Sequence, residues 1–275
     1  MVIHKLNKLF DLSNRVAVVT GGLGILGKRF CIGLAEYGAK VAVIDLDHEK
    51  SLDFAKEISE SCSVEALGIG SDITNPDAVK DLVSHVEETL GPIDILHNNA
   101  ATKGSSLKNF FSPLETYSLE TWNEVMSVNL DAYFLMAQAI GTKMAKRGKG
   151  TIIQTASIYG ATMGPDQRIY KNSQYLGTEI NTPVVYSASK GGVVGLSNFL
   201  ATYWAKDGVR VNTLTPGGIT SGQNNTFIEK YSARVPMERM ADSEEMVGPL
   251  IFLASDASSY ITGQNIHIDG GLSVW

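Results

Sequence analysis

The sequence has few cysteines and no excess of positive charge. Its 275 residues include two cysteines, Cys31 and Cys62, which form no C-x-x-C pair. Two cysteines at this spacing suit neither a disulfide framework nor a metal or redox site. Lys and Arg number 23 against 29 Asp and Glu, giving a formal net charge of -6 without a long basic run. We therefore expect no metal centre and no nucleic-acid partner.

Long apolar runs are also absent. The opening residues, MVIHKLNKLFDLSNR, contain no apolar stretch typical of a signal peptide, and no later run approaches the length of a membrane span. No repeat and no Pro-, Gly- or Ser-rich linker marks a boundary. We expect a cytoplasmic protein without a membrane partner, with residues 1–275 forming one domain.

Short apolar runs alternate with amphipathic segments along the chain. A β-branched run at 15–20 precedes a cluster of glycines and then a helical pattern of Phe30, Leu34 and Tyr37. Apolar strands that alternate with helices are typical of a parallel sheet covered on both faces. The prediction is an α/β fold, a doubly wound parallel sheet of the Rossmann type. Further strands are expected in 39–47, 64–72, 94–100, 150–157 and 209–217, and further helices in 51–61, 75–91, 119–146 and 186–206.

Two segments, 161–185 and 218–240, interrupt this alternation. Both follow strands whose carboxyl ends should face the ligand crevice of such a sheet. Long loops in α/β domains are commonly functional. We predict that these segments form the substrate side of the molecule.

Three glycines, Gly21, Gly24 and Gly27, fall between the first strand and the first helix, with Ile25 and Leu26 between the last two. Glycine permits a tight turn there and lets backbone amides at the helix N-terminus approach a pyrophosphate. An ordinary tight turn is the alternative. The strand before and the helix after favour a dinucleotide site.

Acidic and small side chains end the next strands. Asp45 ends the second strand, where a carboxylate can accept hydrogen bonds from ribose hydroxyls and repel a 2′-phosphate, which favours NAD over NADP. Asp72, followed by Ile73, can contact the adenine edge or start the next helix. Asn99 and Ala100 close the fourth strand and can line the cofactor groove.

Tyr186 and Lys190 are four residues apart in a helical segment, so they share one face of the helix. An ammonium beside a phenol favours the ionised phenol. Such a tyrosine can exchange a proton with a substrate oxygen. The alternative is a surface helix that happens to carry both residues.

Together these motifs resemble the short-chain dehydrogenase/reductase family from about Asp11 to the closing HIDGG. The resemblance implies that Tyr186 is the general acid and base, that Lys190 lowers its pKa and holds the nicotinamide ribose, and that Ser157 hydrogen-bonds the reacting oxygen. Asn129 would anchor a water relay. The motifs are TGGLGILG, Asp45, Asp72, NNA at 98–100, Asn129 in SVNLDAYF, Ser157 in QTASIYG, Tyr186 with Lys190, and PGG at 216–218.

The resemblance also implies hydride exchange with a nicotinamide cofactor and a homodimer or homotetramer. It places Pro216, Gly217 and Ile219 along the nicotinamide and Thr220 near its carboxamide.

The chain departs from the compact members of the family in two places. Ile25 occupies the position of the usual middle glycine, a spacing similar to that of extended members that act on nucleotide sugars. The connection from Ser157 to Tyr186 is longer than usual and resembles that of members associated with sugar modification. Its Arg168 joins Ser157 and Tyr186 as a candidate for substrate contact.

Three functions remain open from the sequence. The first is an NAD-dependent dehydrogenase or reductase acting on an alcohol or carbonyl of a polar small molecule, such as a sugar or nucleotide sugar. The second is an NAD-retaining epimerase or dehydratase of nucleotide sugars, suggested by the glycine spacing. The third is a catalytically silent NAD sensor, because a fold does not fix a function.

Overall fold

The computed structural model describes residues 8–275 and is built around a seven-stranded parallel sheet in the order β3-β2-β1-β4-β5-β8-β9. Strands β6 and β7 form a separate antiparallel hairpin within 161–185. The predicted α/β doubly wound fold is confirmed. The strands are β1 Val16–Thr20, β2 Lys40–Asp45, β3 Ala66–Gly70, β4 Ile93–Asn98, β5 Gly150–Thr155, β6 Gln174–Tyr175, β7 Thr178–Glu179, β8 Val209–Pro216 and β9 Asn265–Ile268.

The helices pack on both faces of this sheet. Helix α3 starts one residue after the beginning of the predicted range 75–91, with Pro76 at its first position and the Asn75 side chain accepting hydrogen bonds from the amides of Asp77 and Ala78. The helices are α1 Ile25–Glu36, α2 His48–Cys62, α3 Pro76–Leu90, α4 Leu107–Phe110, α5 Leu119–Met126, α6 Ala132–Met136, α7 Thr142–Arg147, α8 Ile158–Ala161, α9 Val184–Trp204, α10 Asn225–Ser232 and α11 Val247–Ala254.

Two apolar cores result from the alternation of side chains along the strands. On one face Val18 and Ile152 pack with residues of α3, α6 and α9. On the other face Val19 and Ile153 pack with residues of α1, α2 and α11. A sheet buried on both faces explains why its strands read as continuous apolar runs.

The predicted helix at 119–146 is present, but π-helical turns at Ser127–Asp131 and Ala137–Gly141 separate α5, α6 and α7. The first of these turns contains Asn129, whose side-chain oxygen accepts a hydrogen bond from the backbone amide of Thr102. The apolar pattern correctly predicted a helix here, but such a pattern does not distinguish π-helical turns from α-helical ones.

The segment 218–240, predicted as a loop, contains helix α10. The Asn224 side chain accepts a hydrogen bond from the Phe227 amide and so caps this helix. Phe227 and Tyr231, four residues apart, pack on Tyr159 and Ile169 in a small core above the sheet. This core joins the two interrupting segments. Within residues 8–275, no helix has both the length and the hydropathy that a membrane crossing requires.

Candidate active site

Two cavities meet at the carboxyl-terminal edge of the sheet. The first, which we call the glycine-turn groove, has a volume of about 680 Å³ and runs from Asp45 and Asp72 past the glycine turn. The second, the tyrosine-lined cavity, has a volume of about 350 Å³ and is bordered by Ser157 and the core above the sheet. Tyr186 lines both cavities. A long ligand in the groove and a small one in the cavity would therefore meet at Tyr186.

The glycine turn is shaped by close backbone contacts. Gly21 has a φ of +65°, and a Cβ there would lie 2.7 Å from the Ala100 Cα. A Cβ on Gly27 would lie 2.0 Å from the carbonyl oxygen of Gly21, so the first turn of α1 packs directly on the strand-to-helix turn. Gly24 caps α1 without a side-chain acceptor. The first amides of the helix are therefore available to an anion, a donor set that fits a pyrophosphate.

Asp45 lies beside this turn. One carboxylate oxygen accepts a hydrogen bond from the Leu23 amide at 3.0 Å, and the other accepts one from the Leu46 amide at 2.8 Å. Each oxygen retains capacity for a further donor such as a ribose hydroxyl. The two cations that directly follow Gly27 in the sequence are engaged elsewhere. Lys28 lies over the Phe54 ring, and Arg29 pairs with Glu244 at 2.9 Å.

The structure places most predicted cofactor residues along the groove. Asp72 also accepts hydrogen bonds from the amide and hydroxyl of Thr74, and Asn99 donates to the carbonyl oxygens of Thr20 and Gly21, so both have structural roles as well. The predicted residues that line the groove are Gly21, Gly24, Ile25, Leu26, Gly27, Asp45, Asp72, Ile73, Asn99, Ala100, Tyr186 and Ile219.

The remaining predicted cofactor residues lie elsewhere. Lys190, Pro216 and Gly217 border the tyrosine-lined cavity. Thr220 is exposed and lines neither cavity, and its amide donates to the carbonyl oxygen of Ala241. The structure therefore does not bring Thr220 to the site.

Tyr186 lies in the first turn of α9, and Ser157 lies two residues after the end of β5. The Ser157 hydroxyl accepts a hydrogen bond from the Tyr159 amide at 3.3 Å and caps α8. Burial raises the pKa of Tyr186 above that of a free tyrosine, while interaction with the Ser157 hydroxyl lowers it. The net direction is opposite to the one expected from the neighbouring lysine.

The geometry of Lys190 explains this difference. Its Nζ donates a hydrogen bond to the Thr155 carbonyl oxygen at 2.8 Å, and the residue is 2% exposed. Burial lowers the pKa of Lys190 to about 8. The ammonium is thus fixed on the end of β5, and the prediction that it lowers the pKa of Tyr186 is not met in this structure.

Asn129 is fully buried behind the site. Its side-chain oxygen accepts from the Thr102 amide at 2.8 Å, while its Nδ2 has no hydrogen-bond partner among residues 8–275. A buried donor without a protein partner is commonly satisfied by water. This arrangement fits the anchoring of a water molecule.

Arg168 is not brought to the substrate cavity. Its guanidinium binds both carboxylate oxygens of Asp166 at 2.8 Å, and its side chain is 89% exposed. A carboxylate two residues earlier holds it on the surface. The sequence did not reveal Lys103, which lines both cavities, or Tyr159 and Tyr231, which line the second. The position of Lys103 just after β4, at the crevice edge, was a usable signal.

The fold, the glycine turn and the hydroxyls of Ser157 and Tyr186 beside it define the class of this protein as a nicotinamide-dependent oxidoreductase. The family model described as enoyl-(acyl carrier protein) reductase matches residues 24–273. A crystal structure of a short-chain type dehydrogenase/reductase from Mycobacterium marinum is similar, with a TM-score of 0.85 and 33% identity over 99% of this chain and 100% of that one. The chain belongs to the short-chain dehydrogenase/reductase family.

Two further relatives are named after a sugar acid. Gluconate 5-dehydrogenase from Gluconobacter oxydans is 34% identical, over 97% of each chain. A crystal structure of a gluconate 5-dehydrogenase from Burkholderia cenocepacia in complex with NADP and tartrate has a TM-score of 0.85, 30% identity and 98% coverage of both chains. Relatives in this family use NAD(P), and this chain is an NAD(P)-dependent oxidoreductase. The special resemblance to members associated with sugar modification is not confirmed.

Proposed function

We propose that this protein interconverts an alcohol and a carbonyl group on a polyhydroxylated small molecule, such as a sugar or sugar acid, with NAD as the hydride carrier. The observation that carries the proposal is the position of the Tyr186 phenol and the Ser157 hydroxyl beside the tyrosine-lined cavity, at its junction with the glycine-turn groove. A proton-transferring group and a hydrogen-bond donor are the parts that alcohol oxidation requires.

Each side chain then has a distinct role. A nicotinamide bound in the groove would supply the hydride transfer to or from the substrate carbon. The Tyr186 phenol donates its proton to the substrate oxygen during reduction, and the Tyr186 phenolate takes the hydroxyl proton during oxidation. Ser157 donates a hydrogen bond to the same substrate oxygen. Lys190 lies one helical turn after Tyr186, and its Nζ, which also donates to the Thr155 carbonyl oxygen, would hold the nicotinamide ribose.

A hydroxylated substrate fits the chemistry of the cavity wall. Tyr159, Tyr170 and Tyr231 line the cavity; the hydroxyls of Tyr159 and Tyr231 accept hydrogen bonds from Arg234 and from the Gly218 amide and keep their own protons to donate. Thr182 also lines the cavity, and its buried hydroxyl has no partner among the described residues. Such a wall offers hydrogen bonds to several substrate hydroxyls. The relatives named for gluconate, one of them crystallised with tartrate, support the same class of substrate.

NAD is proposed as the preferred cofactor because Asp45 places a negative charge on the groove. A 2′-phosphate next to this carboxylate would be repelled. Lys28 and Arg29 are engaged by Phe54 and Glu244 and do not line the groove. The NADP bound to the Burkholderia relative belongs to that protein, so the preference of this chain has to be measured.

We also propose that residues 1–275 form one domain in which 161–185 and 218–240 make the substrate side. Their shared small core, which includes Ile169 and Phe227, supports this arrangement. The oligomeric state, a homodimer or homotetramer, and the cytoplasmic location of this protein stay predictions from the sequence.

The test is an activity assay with sugars, polyols, hydroxy acids and nucleotide sugars, following NADH formation at 340 nm. Tyr186→Phe should retain NADH affinity within about twofold and lose turnover by at least about a hundredfold, because only the proton-transferring hydroxyl is removed. An equal loss of NADH binding and turnover would contradict the role given to Tyr186.

The same assay separates the alternatives left by the sequence. An NAD-retaining epimerase or dehydratase would convert a nucleotide sugar without accumulating NADH in solution. A silent sensor would bind NADH and turn over none of the substrates. Stoichiometric NADH release with a sugar or sugar acid is the outcome that we expect.

A further inference from the structure

Lys103 lies where the two cavities meet. It belongs to the loop that follows β4, is exposed, and lines both the glycine-turn groove and the tyrosine-lined cavity. Its Nζ donates a hydrogen bond to the Tyr175 hydroxyl at 3.0 Å and lies 4.1 Å from the centre of the same ring. An ammonium has three donors. Lys103 can therefore bind an anion while it remains in contact with Tyr175.

Lys103 is one of few ionisable residues around the tyrosine-lined cavity. Among the described residues that line the tyrosine-lined cavity, the only Lys, Arg, Asp, Glu or His residues are Lys103 and Lys190. Lys190 is buried and donates to the Thr155 carbonyl oxygen. Asp45 and Asp72 line the groove but not the cavity. The cavity thus carries positive charge without a carboxylate on its wall.

No carboxylate of residues 8–275 forms an ion pair with Lys103. Glu124, which supports the same loop, accepts a hydrogen bond from the Ser105 amide at 2.7 Å. An exposed lysine usually projects freely into water, whereas this one is held against an aromatic ring at the edge of a cavity.

The loop that carries Lys103 and the segment that carries Tyr175 are each held by hydrogen bonds. In its own loop, the Thr102 amide binds the Asn129 side chain, and the Gly104 amide binds the Thr102 hydroxyl. Tyr175 lies in β6, and the next residue donates from its amide to the Gly222 carbonyl oxygen at 3.1 Å. Lys103 is thus held by two segments, 101–104 and 161–185, at the place where the cavity opens into the groove, which we call the cavity mouth.

We propose that Lys103, positioned by Tyr175, binds the carboxylate of an acidic substrate, so that this protein selects sugar acids over neutral sugars and polyols. The inference rests on the proposed function and narrows its substrate class. The carboxylate lies at the mouth beside Lys103, and the substrate hydroxyls face the phenols of the inner wall. Hydride transfer occurs at a carbon near Tyr186, so the carboxylate takes no part in the redox step.

The test compares two six-carbon substrates, D-gluconate and D-glucitol, in the wild type and in Lys103→Met. For gluconate we expect KM to rise by about 10- to 100-fold, the range for loss of a hydrogen bond to a charged group, with kcat within about threefold because the proton-transfer groups are untouched. For glucitol, kcat/KM should stay within about twofold, because a neutral substrate makes no ion pair.

Matched variants separate charge from packing. Lys108→Met removes an exposed lysine of α4 that lines neither cavity and should change neither substrate's KM. Lys103→Arg keeps the charge and should restore most of the affinity for gluconate. Tyr175→Phe keeps the ring but removes the hydroxyl that holds Lys103, so its KM increase for gluconate should be smaller than that of Lys103→Met.

Three results would overturn the inference. One is an equal loss of activity towards gluconate and glucitol. Another is a rise in the Kd for NADH in Lys103→Met with substrate KM unchanged, which would place Lys103 on the cofactor. The third is a wild type that oxidises neutral polyols but no sugar acid. A wild type that releases no NADH from any substrate would instead contradict the proposed function itself.

Discussion

Burial changes the acid-base chemistry of the two residues that the sequence singled out. Lys190 donates to a carbonyl oxygen in a dry environment that lowers its pKa to about 8. Tyr186 is also withdrawn from water, which raises its pKa. Both shifts favour the neutral side chain, because a charged form loses its hydration. The helical spacing of the two residues indicated their common face but not this loss of solvent.

Asp45 provides a test of cofactor choice at the scale of one residue. We expect Asp45→Ser to lower the ratio of kcat/KM with NAD to kcat/KM with NADP by at least about tenfold, because it removes the charge that repels a 2′-phosphate. The measurement is initial rates with both cofactors at saturating substrate.

Asp72→Ser is the matched control for that experiment. Asp72 also lines the groove, but its carboxylate binds Thr74 in the turn before α3. Its removal should leave the cofactor ratio within about twofold, since no 2′-phosphate is expected there. A ratio that stays constant in Asp45→Ser would contradict the assignment of Asp45 as the residue that favours NAD.

At the scale of elements, the site depends on how α1 follows β1. The turn brings the start of the helix against the Gly21 carbonyl oxygen, and a side chain at Gly27 would meet this oxygen much more closely than a side chain at Gly24. A Cβ at Gly24 would lie 3.3 Å from that oxygen, compared with 2.0 Å for a Cβ at Gly27. A Cβ essentially never lies within 3.0 Å of another atom, so a side chain at Gly27 would force the backbone to shift.

We therefore expect Gly27→Ala to lower the free energy of unfolding by about 1–3 kcal/mol through overpacking, and to weaken NADH binding because the first turn of α1 shifts. Gly24→Ala should have the smaller effect on both. Denaturant unfolding and NADH fluorescence titration measure the two quantities. If Gly24→Ala proved equally or more disruptive, the packing account of this turn would be wrong.

The elements themselves were largely predictable, and the exceptions have local causes. Strands β1 and β2 and helix α3 follow from apolar runs and a recognisable cap. The π-helical turn around Asn129 was not predicted, and the Asn129 side chain in it accepts a hydrogen bond from Thr102, which is distant in the sequence. Helix α10 was missed because its polar composition resembled a loop, although Asn224 and the spacing of Phe227 and Tyr231 were available signals.

At the scale of the whole molecule, buried polar groups couple the fold to pH. His97 of β4 is fully buried against Phe30, with its Nε2 2.9 Å from the Thr155 hydroxyl oxygen. Burial lowers the pKa of His97 from 6.5 to about 3. Below pH 6.5 the unfolded chain therefore takes up a proton that the folded chain does not.

The free energy of unfolding should consequently fall as the pH falls from about 6.5 towards 3, with His97 contributing up to about 1.4 kcal/mol per pH unit. His97→Gln should show a shallower decline over this range, because glutamine does not titrate. Urea unfolding of both proteins at equal concentration from pH 7 to pH 4 measures the difference. Parallel curves would show that His97 does not titrate in this way.

The sequence alone determined the class of fold and the family, and it supplied the prediction of which residues form the reaction centre. Apolar periodicity follows from the geometry of strands and helices. Glycine turns, helix caps and the Tyr-Lys pair each depend on residues within a few positions of one another. A short stretch of sequence is therefore enough to predict them. Only the tertiary structure decided that Arg168 is held on the surface by Asp166 and that Lys103 meets Tyr175 at the cavity mouth. The substrate wall is assembled from segments far apart in the chain, and their contacts depend on how the loops pack above the sheet, which no local pattern encodes.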